Sequence, residues 1–201
     1  MMKDMGRLLI TLTLIAAGAG LVLSLVESVT REPIKEQRRL QMLKALSAVL
    51  PSFDNSPDTD IVTLQNGVDK KGKPIEVIFY RARKDGELVG SAFSAVAPDG
   101  YSGNIRVMIG VRPDETVNAI EILNHAETPG LGDKITFASF KDLFKDKSLE
   151  NADWRVKKDG GEFDQFSGAT ISPRAVVGAV KKGLEFFREN KAKILAEGGP
   201  S

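Results

Sequence analysis

The stretch Asp164-Gln165-Phe166-Ser167-Gly168-Ala169-Thr170 leads directly into the last apolar stripe of the chain. The apolar residues of that stripe recur at helical spacing and predict a helix from Pro173 to about Leu195. They are Val176, Val177, Val180, Leu184 and Phe187. Ser172 and Pro173 are the residue types expected for an N-cap and a first helical position. We therefore expect Thr170 to lie just before the N-terminus of a helix.

A helix N-terminus at this position suits a phosphate group. Its unpaired N–H groups and its macrodipole favour an anion by roughly 0.3–1 kcal/mol per charge. Gly168 and Ala169 have small or no side chains, so a bulky group has room to approach the backbone. A turn that merely caps a surface helix is the alternative for a Ser-Gly-Ala-Thr tetrad. Asp164 and a second motif further upstream favour the phosphate interpretation only through the resemblance described below.

The middle of the chain has the residue pattern of β-strands. Ile75 to Arg81 and Glu87 to Ala97 flank an Asp-Gly turn that predicts a hairpin. Apolar residues alternate with other types from Ile105 to Val111, which predicts a strand with one buried face. A turn at Pro113 leads into a fourth predicted strand, Thr116 to Leu123.

Helices are predicted around these strands. Asp133 to Lys145 has the pattern of a helix whose inward residues are Ile135, Phe137, Phe140, Leu143 and Phe144. A short strand around Trp154 to Lys157 precedes the C-terminal helix. Strands joined by hairpins with helices grouped around them predict an α+β fold, in which an antiparallel sheet has flanking helices.

An uncharged run of mainly Leu, Ile, Val, Ala and Gly occupies Leu8 to Val26. At about 1.5 Å per residue it spans roughly 30 Å, the hydrocarbon thickness of a bilayer, which predicts one N-terminal transmembrane helix. A cleaved signal peptide is the alternative, since Lys3 and Arg7 precede the run. Signal peptides have shorter apolar regions of about 7–15 residues, and no clean cleavage pattern follows Val26, which favours a retained anchor.

This anchor organises the rest of the chain. We expect five parts, which are a cytoplasmic tail (1–7), a transmembrane helix (8–26), a helical stalk and loop (27–60), a folded extracytoplasmic domain (61–196) and a second tail (197–201). Within the stalk, Pro33 is expected to start a new helix. Lys3 and Arg7 favour a cytoplasmic N-terminus, with the domain on the other side of the membrane.

The composition argues against several functional classes. The 28 basic residues nearly balance the 27 acidic ones, which gives no support to nucleic-acid binding. The chain has no Cys, so its domain of about 150 residues must be held together by its core. The sequence shows neither a Ser-His-Asp arrangement nor a set of metal ligands, which argues against a hydrolase or a metalloenzyme.

The second motif, Glu127-Thr128-Pro129-Gly130-Leu131-Gly132, follows the fourth predicted strand. Alone, its Pro-Gly pair would indicate only a turn. Together with Asp164 to Thr170 it resembles the FMN-binding domain shared by two related proteins, RnfG of the Rnf electron-transport complex and NqrC of the sodium-pumping NADH:quinone reductase. Gly100 to Gly103 and Glu87 to Gly90 also resemble this family. The compact length favours the Rnf protein, with the quinone-reductase protein as the alternative.

The resemblance implies a covalently bound flavin. Thr170 would carry FMN through a phosphoester, and a flavin transferase would recognise the signal formed by Asp164, Ser167, Gly168, Ala169 and Thr170. Ser167, Gly168 and Ala169 would also contribute to the cofactor site. The flavin ring would lie against the second motif and contact Glu127, Thr128, Gly130, Leu131 and Gly132. Capping of the next helix is the alternative role for Glu127.

The family also implies a function for the whole chain. It would be a single-pass protein of the bacterial inner membrane that relays electrons in an ion-translocating ferredoxin:NAD oxidoreductase, with its domain on the periplasmic side. Its partners would be the other Rnf subunits, the flavin transferase and the membrane, and no independent catalysis is expected. A membrane-tethered binding or assembly module without a redox role is the alternative.

Three aromatic or titratable residues near these motifs have two interpretations each. His125 is the single His of the chain and is expected to be structural rather than a proton donor. Tyr101 and Trp154 are large enough to stack on a flavin ring, but core packing is the expected role of both.

Overall fold

The computed structural model describes residues 2–68 and 72–196. The chain folds into two compact units, residues 1–42 and residues 43–201. The predicted tail 197–201 lies outside the described residues. Helix α1 (Met2–Val49) is continuous and contains Pro33, so the prediction that Pro33 begins a new helix is wrong. Pro33 cannot donate to the carbonyl of Val29, and the helix tolerates this lost bond because both residues are exposed.

The N-terminal unit has an apolar surface along α1. Within the part of the chain that the structure describes, α1 is the one helix long and apolar enough to cross a membrane. Every Leu, Ile and Val from Leu8 to Val26 is more than half exposed in the isolated chain. Such a surface is costly in water, which agrees with the predicted membrane span.

The second unit is built on a five-stranded antiparallel sheet whose strands follow chain order. These strands are β1 (Ile61–Val68), β2 (Pro74–Lys84), β3 (Glu87–Ala97), β4 (Ile105–Val111) and β5 (Val117–Asn124). The α+β prediction is confirmed, although β1 was not predicted. Asp85 and Gly86, which join β2 to β3, both have positive φ, as the predicted two-residue hairpin turn requires.

The main core lies between one face of the sheet and helix α3 (Ile171–Leu195), which packs against β3 and β4. The predicted stripe of α3 is fully buried there. Phe79 and Phe93 have their ring centroids 4.8 Å apart under this helix. Gly183 lets α3 come close, since a Cβ at this position would lie 2.9 Å from the Phe93 ring.

The segment predicted as a helix from Asp133 to Lys145 is instead broken. It consists of a 3-10 turn (Gly132–Thr136), the short helix α2 (Ala138–Lys141) and a second 3-10 turn (Asp142–Phe144). Phe137 has extended backbone angles and separates the first turn from α2. Its side chain is 53% exposed, so its predicted inward orientation is wrong, whereas Ile135, Phe140 and Phe144 are buried as expected.

The predicted strand from Trp154 to Lys157 is also not formed. Only Val156 makes a β-bridge, to Phe163, and residues Lys157–Asp159 form a 3-10 turn. The core packing predicted for Trp154 is confirmed, because its ring is buried between Phe144 and Phe163. Its indole N–H donates to the carbonyl of Ser148 at 2.9 Å.

The opposite face of the sheet is covered by the last turn of α1, which belongs to the second unit. Small residues make room for it, since Ala92, Gly110 and Ala119 lie side by side on three neighbouring strands. The carbonyl oxygen of Val49 sits over Gly110 and accepts a hydrogen bond from Asn118 Nδ2 at 2.8 Å. The prediction that β4 has one buried face is therefore wrong, because Met108 and Gly110 on its second face are buried too.

Candidate functional site

The two sequence motifs meet in one pocket at the N-terminus of α3. Its walls come from three segments: the loop between β3 and β4, the loop after β5, and the turn into α3. The lining residues are Tyr101, Glu127, Thr128, Leu131, Gly132, Gly168, Ala169, Thr170, Ile171 and Ser172. The cavity volume is about 90 Å³, which is too small to enclose a large aromatic cofactor. A ring system would therefore lie at the mouth of the pocket.

Thr170 is the residue that immediately precedes α3. It occupies the N-cap position, and the helix begins at Ile171, so the prediction of Ser172 as N-cap is wrong. The Thr170 side chain makes no capping hydrogen bond and is half-buried in the pocket wall. Pro173 becomes the third helical residue, where its missing N–H is harmless because first-turn amides have no intrahelical partner.

Glu127 lies at the bottom of the site, where its side chain is 4% exposed. One carboxylate oxygen accepts the backbone N–H of Ser102 at 3.1 Å, and the other accepts the hydroxyl of Ser172 at 2.5 Å. These two bonds join the β3–β4 loop, the loop after β5 and the first turn of α3. The alternative that Glu127 caps the following turn is not what the structure shows, because Leu131 is that cap and no side chain bonds there.

Two glycines make the space that the Glu127 side chain fills. A Cβ on Gly100 would lie 2.2 Å from the carbonyl of Gly103 and 2.9 Å from Glu127 Oε1. A Cβ on Gly132 would lie 2.6 Å from Ser172 Oγ and 2.7 Å from Glu127 Oε2. Close packing around Glu127 therefore gives Gly132 a structural role beside the predicted flavin contact. Gly130 differs, since it has a φ of 76° and open space around it.

The remaining predicted residues differ in how closely they approach the pocket. Thr128 and Leu131 line it and are exposed, and Gly168, with a φ of 78°, shapes the turn before Thr170. Ser167 is exposed beside this turn. Asp164 lies outside the pocket lining, and its carboxylate forms an exposed ion pair with Lys157 at 2.6 Å. That position agrees with a surface signal rather than with a cofactor contact.

Two pocket residues were missed or misassigned from the sequence. Tyr101 was expected in the core, but its side chain is 69% exposed and lines the pocket. Ile171 was not singled out, yet it also lines the pocket and is 43% exposed. No local signal marks Ile171, since it becomes part of the site only through the turn that starts α3.

His125 has the structural role expected of it. Its Nδ1 accepts the backbone N–H of Glu127 at 3.2 Å, which helps to fix the loop after β5. Among the described residues, no group of three or more His, Asp or Glu side chains is placed to hold a metal ion.

The chemistry of the pocket suits a phosphate that carries an aromatic group. Amides of the first turn of α3 can receive the phosphate, and the hydroxyl of Thr170 lies beside them. The exposed side chains of Tyr101, Leu131 and Ile171 offer apolar surface to a ring at the mouth. The residues present therefore fit a flavin mononucleotide.

Comparison with known proteins agrees with this geometry. Residues 100–185 match the model of the FMN-binding domain, and residues 1–49 match the RnfG N-terminal region. The chain is 38% identical to the G subunit of the ion-translocating oxidoreductase complex of Aliivibrio fischeri (strain MJ11), over 97% of this chain and 96% of that protein. It is 40% identical to the protein of the same name from Shewanella loihica, over 87% and 85% of the two chains.

A solved structure has the same fold. The crystal structure of Shewanella oneidensis NqrC superposes with a TM-score of 0.52 and 21% identity, and the match covers 76% of this chain and 74% of that one. The similarity to the G subunits from Aliivibrio fischeri and Shewanella loihica extends over nearly the whole chain and decides the family assignment. The chain therefore belongs to the RnfG family, the G subunits of ion-translocating oxidoreductase complexes.

Proposed function

We propose that this chain is the flavin-carrying subunit of an ion-translocating oxidoreductase complex and that FMN is bonded to Thr170 through a phosphoester. One observation carries the proposal: Thr170 and the loop from Glu127 to Gly132 line the same pocket. The match to the FMN-binding domain spans both segments. Because the Thr170 side chain does not cap α3, its oxygen is available for the phosphate.

The residues of this chain bind and orient the cofactor, while bound FMN supplies the electron-carrying chemistry. The first-turn amides of α3 would hold the phosphate, and Leu131 with Tyr101 would cover the ring. Thr128 offers a hydroxyl at the edge of the pocket. A covalent bond would keep the flavin in place where little free FMN is available to replace it.

The role in the complex follows from a ring held at the mouth of a shallow pocket. A redox partner can then approach the ring and exchange electrons with it. The polypeptide takes no part in that exchange. The family name supports a complex that couples this transfer to ion movement, and electron flow between reduced ferredoxin and NAD is the form that we propose. Membership of the quinone-reductase complex has weaker support, because the similarity to NqrC extends to the fold only.

We further propose that α1 anchors the domain in the bacterial inner membrane. The uncharged surface from Leu8 to Val26 matches the hydrocarbon thickness, and Lys3 with Arg7 would hold the N-terminus in the cytoplasm. The flavin domain would then lie on the periplasmic side, where a flavin transferase would attach the cofactor. Asp164, Ser167 and Gly168 of the signal are exposed and can be reached by such an enzyme, while Thr170 is half-buried.

Flavin attachment is tested by co-expression of the chain with a flavin transferase. We expect a fluorescent band on a denaturing gel and an intact mass that exceeds the polypeptide by one FMN minus water. Thr170→Ala should abolish both signals because it removes the only proposed bonding oxygen. Thr128→Ala, which changes a second hydroxyl of the same pocket, should keep them.

The same experiment separates the alternative function. A dark parent band with the mass of the bare polypeptide would refute the flavin-carrier proposal and favour a membrane-tethered assembly module. Fluorescence that survives Thr170→Ala would show that another residue carries the flavin.

A further inference from the structure

Glu127 is a buried carboxylate, and among the described residues no Lys or Arg forms an ion pair with it. Both of its oxygens act as hydrogen-bond acceptors, as in an ionised carboxylate, and both donors are neutral groups, the Ser102 amide and the Ser172 hydroxyl. The side chain is almost fully enclosed and lines the pocket together with Thr170. A negative charge in such a place is screened poorly by solvent.

This charge lies in the wall against which the flavin would rest. Reduction adds electrons to the flavin, and a nearby fixed negative charge opposes that addition by Coulomb repulsion. We propose that Glu127 is a positioning residue that makes the bound flavin harder to reduce while it holds two loops of the pocket and the first turn of α3 together. The inference rests on the proposed attachment of FMN at Thr170.

The surroundings of Glu127 allow its charge to be removed without a change of shape. In Glu127→Gln, the amide oxygen can accept the N–H of Ser102, and the amide nitrogen can donate to Ser172 Oγ, because a hydroxyl both donates and accepts. The variant Ser172→Ala makes the complementary change. It keeps the carboxylate but removes one of the two donors that compensate it.

The test is a redox titration of the flavinylated full-length protein in detergent, followed by flavin absorbance. Glu127→Gln should shift the midpoint potential to a more positive value than that of the parent. Ser172→Ala should shift it to a more negative value, since the charge is then less compensated. Denaturing-gel fluorescence and thermal unfolding of each variant show whether attachment and folding are intact.

The possible results are distinguishable. Opposite shifts in the two variants support the role of the charge. An unchanged or more negative potential in Glu127→Gln overturns this role. An unchanged or more positive potential in Ser172→Ala overturns it as well. The Ser172→Ala result therefore tests the role even where Glu127→Gln does not fold. A parent without covalent flavin overturns the proposed attachment and this inference together, whereas a flavinylated parent with unresponsive variants overturns the inference alone.

Discussion

Gly110→Ala tests whether the contact between the end of α1 and the sheet stabilises the flavin domain. A Cβ added at Gly110 would lie 2.0 Å from the Val49 carbonyl oxygen and 2.6 Å from its carbon. A normal carbon–oxygen contact is about 3.3 Å or more, so the helix end must retreat by about 1.3 Å. The same carbonyl accepts a hydrogen bond from Asn118, which this retreat would weaken.

The expected cost follows from these contacts. Overpacking costs about 1–3 kcal/mol, and the weakened hydrogen bond about 1 kcal/mol. Ala is intrinsically more stable than Gly in a strand, which offsets about 0.5–1 kcal/mol of this cost. We therefore expect a loss of about 1–3.5 kcal/mol, which for a domain of about 150 residues lowers the Tm by roughly 2–14 °C.

The assay is thermal unfolding of the full-length protein in detergent, followed by the fluorescence of Trp154. This residue is the single Trp of the chain and is buried in the domain core, so its signal reports the domain alone. The Thr170→Ala background avoids interference from the flavin. Gly178→Ala is the matched control, because a Cβ there has nothing within 4 Å and the position is in the interior of α3.

We expect the control to raise the stability by about 0.8–1 kcal/mol, the usual gain for Gly to Ala inside a helix. Opposite signs for one chemical change would confirm that the close approach of Val49 decides the outcome at Gly110. A Gly110→Ala variant as stable as its parent would refute this reasoning, since it would mean that the helix end can move without loss.

Two further predictions concern pH and topology. Lys191 and Arg188 hold the pKa of Glu115 below its usual value, so this contribution to stability is present above the unfolded pKa and is lost as the pH falls through the folded one. Glu115→Gln should therefore cost about 0.5–1 kcal/mol at pH 7, and this cost should shrink as the pH falls through the folded pKa of Glu115. A cost in urea titrations that stays the same at every pH would contradict the pairing. Because the chain has no Cys, single-Cys variants can map its topology. A membrane-impermeant maleimide added to spheroplasts should label Lys181→Cys but not Gly6→Cys, and the reverse pattern would place the domain in the cytoplasm.

Local sequence signals were sufficient for much of the sheet and for the last helix. The alternation along β4 and the Asp-Gly turn before β3 depend on neighbouring residues only, and their predicted bounds agree with the structure. Strand β1 was missed because its inward residues are few, with Val62 and Leu64 followed by a polar stretch. It becomes a strand by pairing with β2 along one edge of the sheet.

The remaining errors have a common cause in contacts between distant segments. The apolar spacing after Gly132 is compatible with one helix and with successive turns, and the extended backbone at Phe137 decides between them. Ser172 has the residue type of an N-cap but donates to Glu127, which lies 45 positions earlier. Burial of the second face of β4 depends on Val49, far upstream in the chain.

The sequence predicted which residues form the candidate site better than it predicted how their side chains are arranged. Both motifs were expected to share one cofactor, and the structure brings them into one pocket. What the sequence could not provide was the direction of individual side chains. Glu127 is directed inward to two hydrogen-bond donors, and Tyr101 outward to the mouth of the pocket.

The tight fit of Glu127 between Gly100 and Gly132 limits how this protein can change. Gly100 is also held by the Gly103 carbonyl, so a shorter carboxylate alone does not make room for a side chain there. A side chain at Gly132 needs space from both Ser172 and Glu127, and a shorter residue at 127 would leave Ser172 without its acceptor. Changing the size of residue 127 or 132 alone is therefore expected to be harmful, while a combined change of residues 127, 132 and 172 is expected to be tolerated. Redesign of this pocket should treat them as one unit and exchange them together.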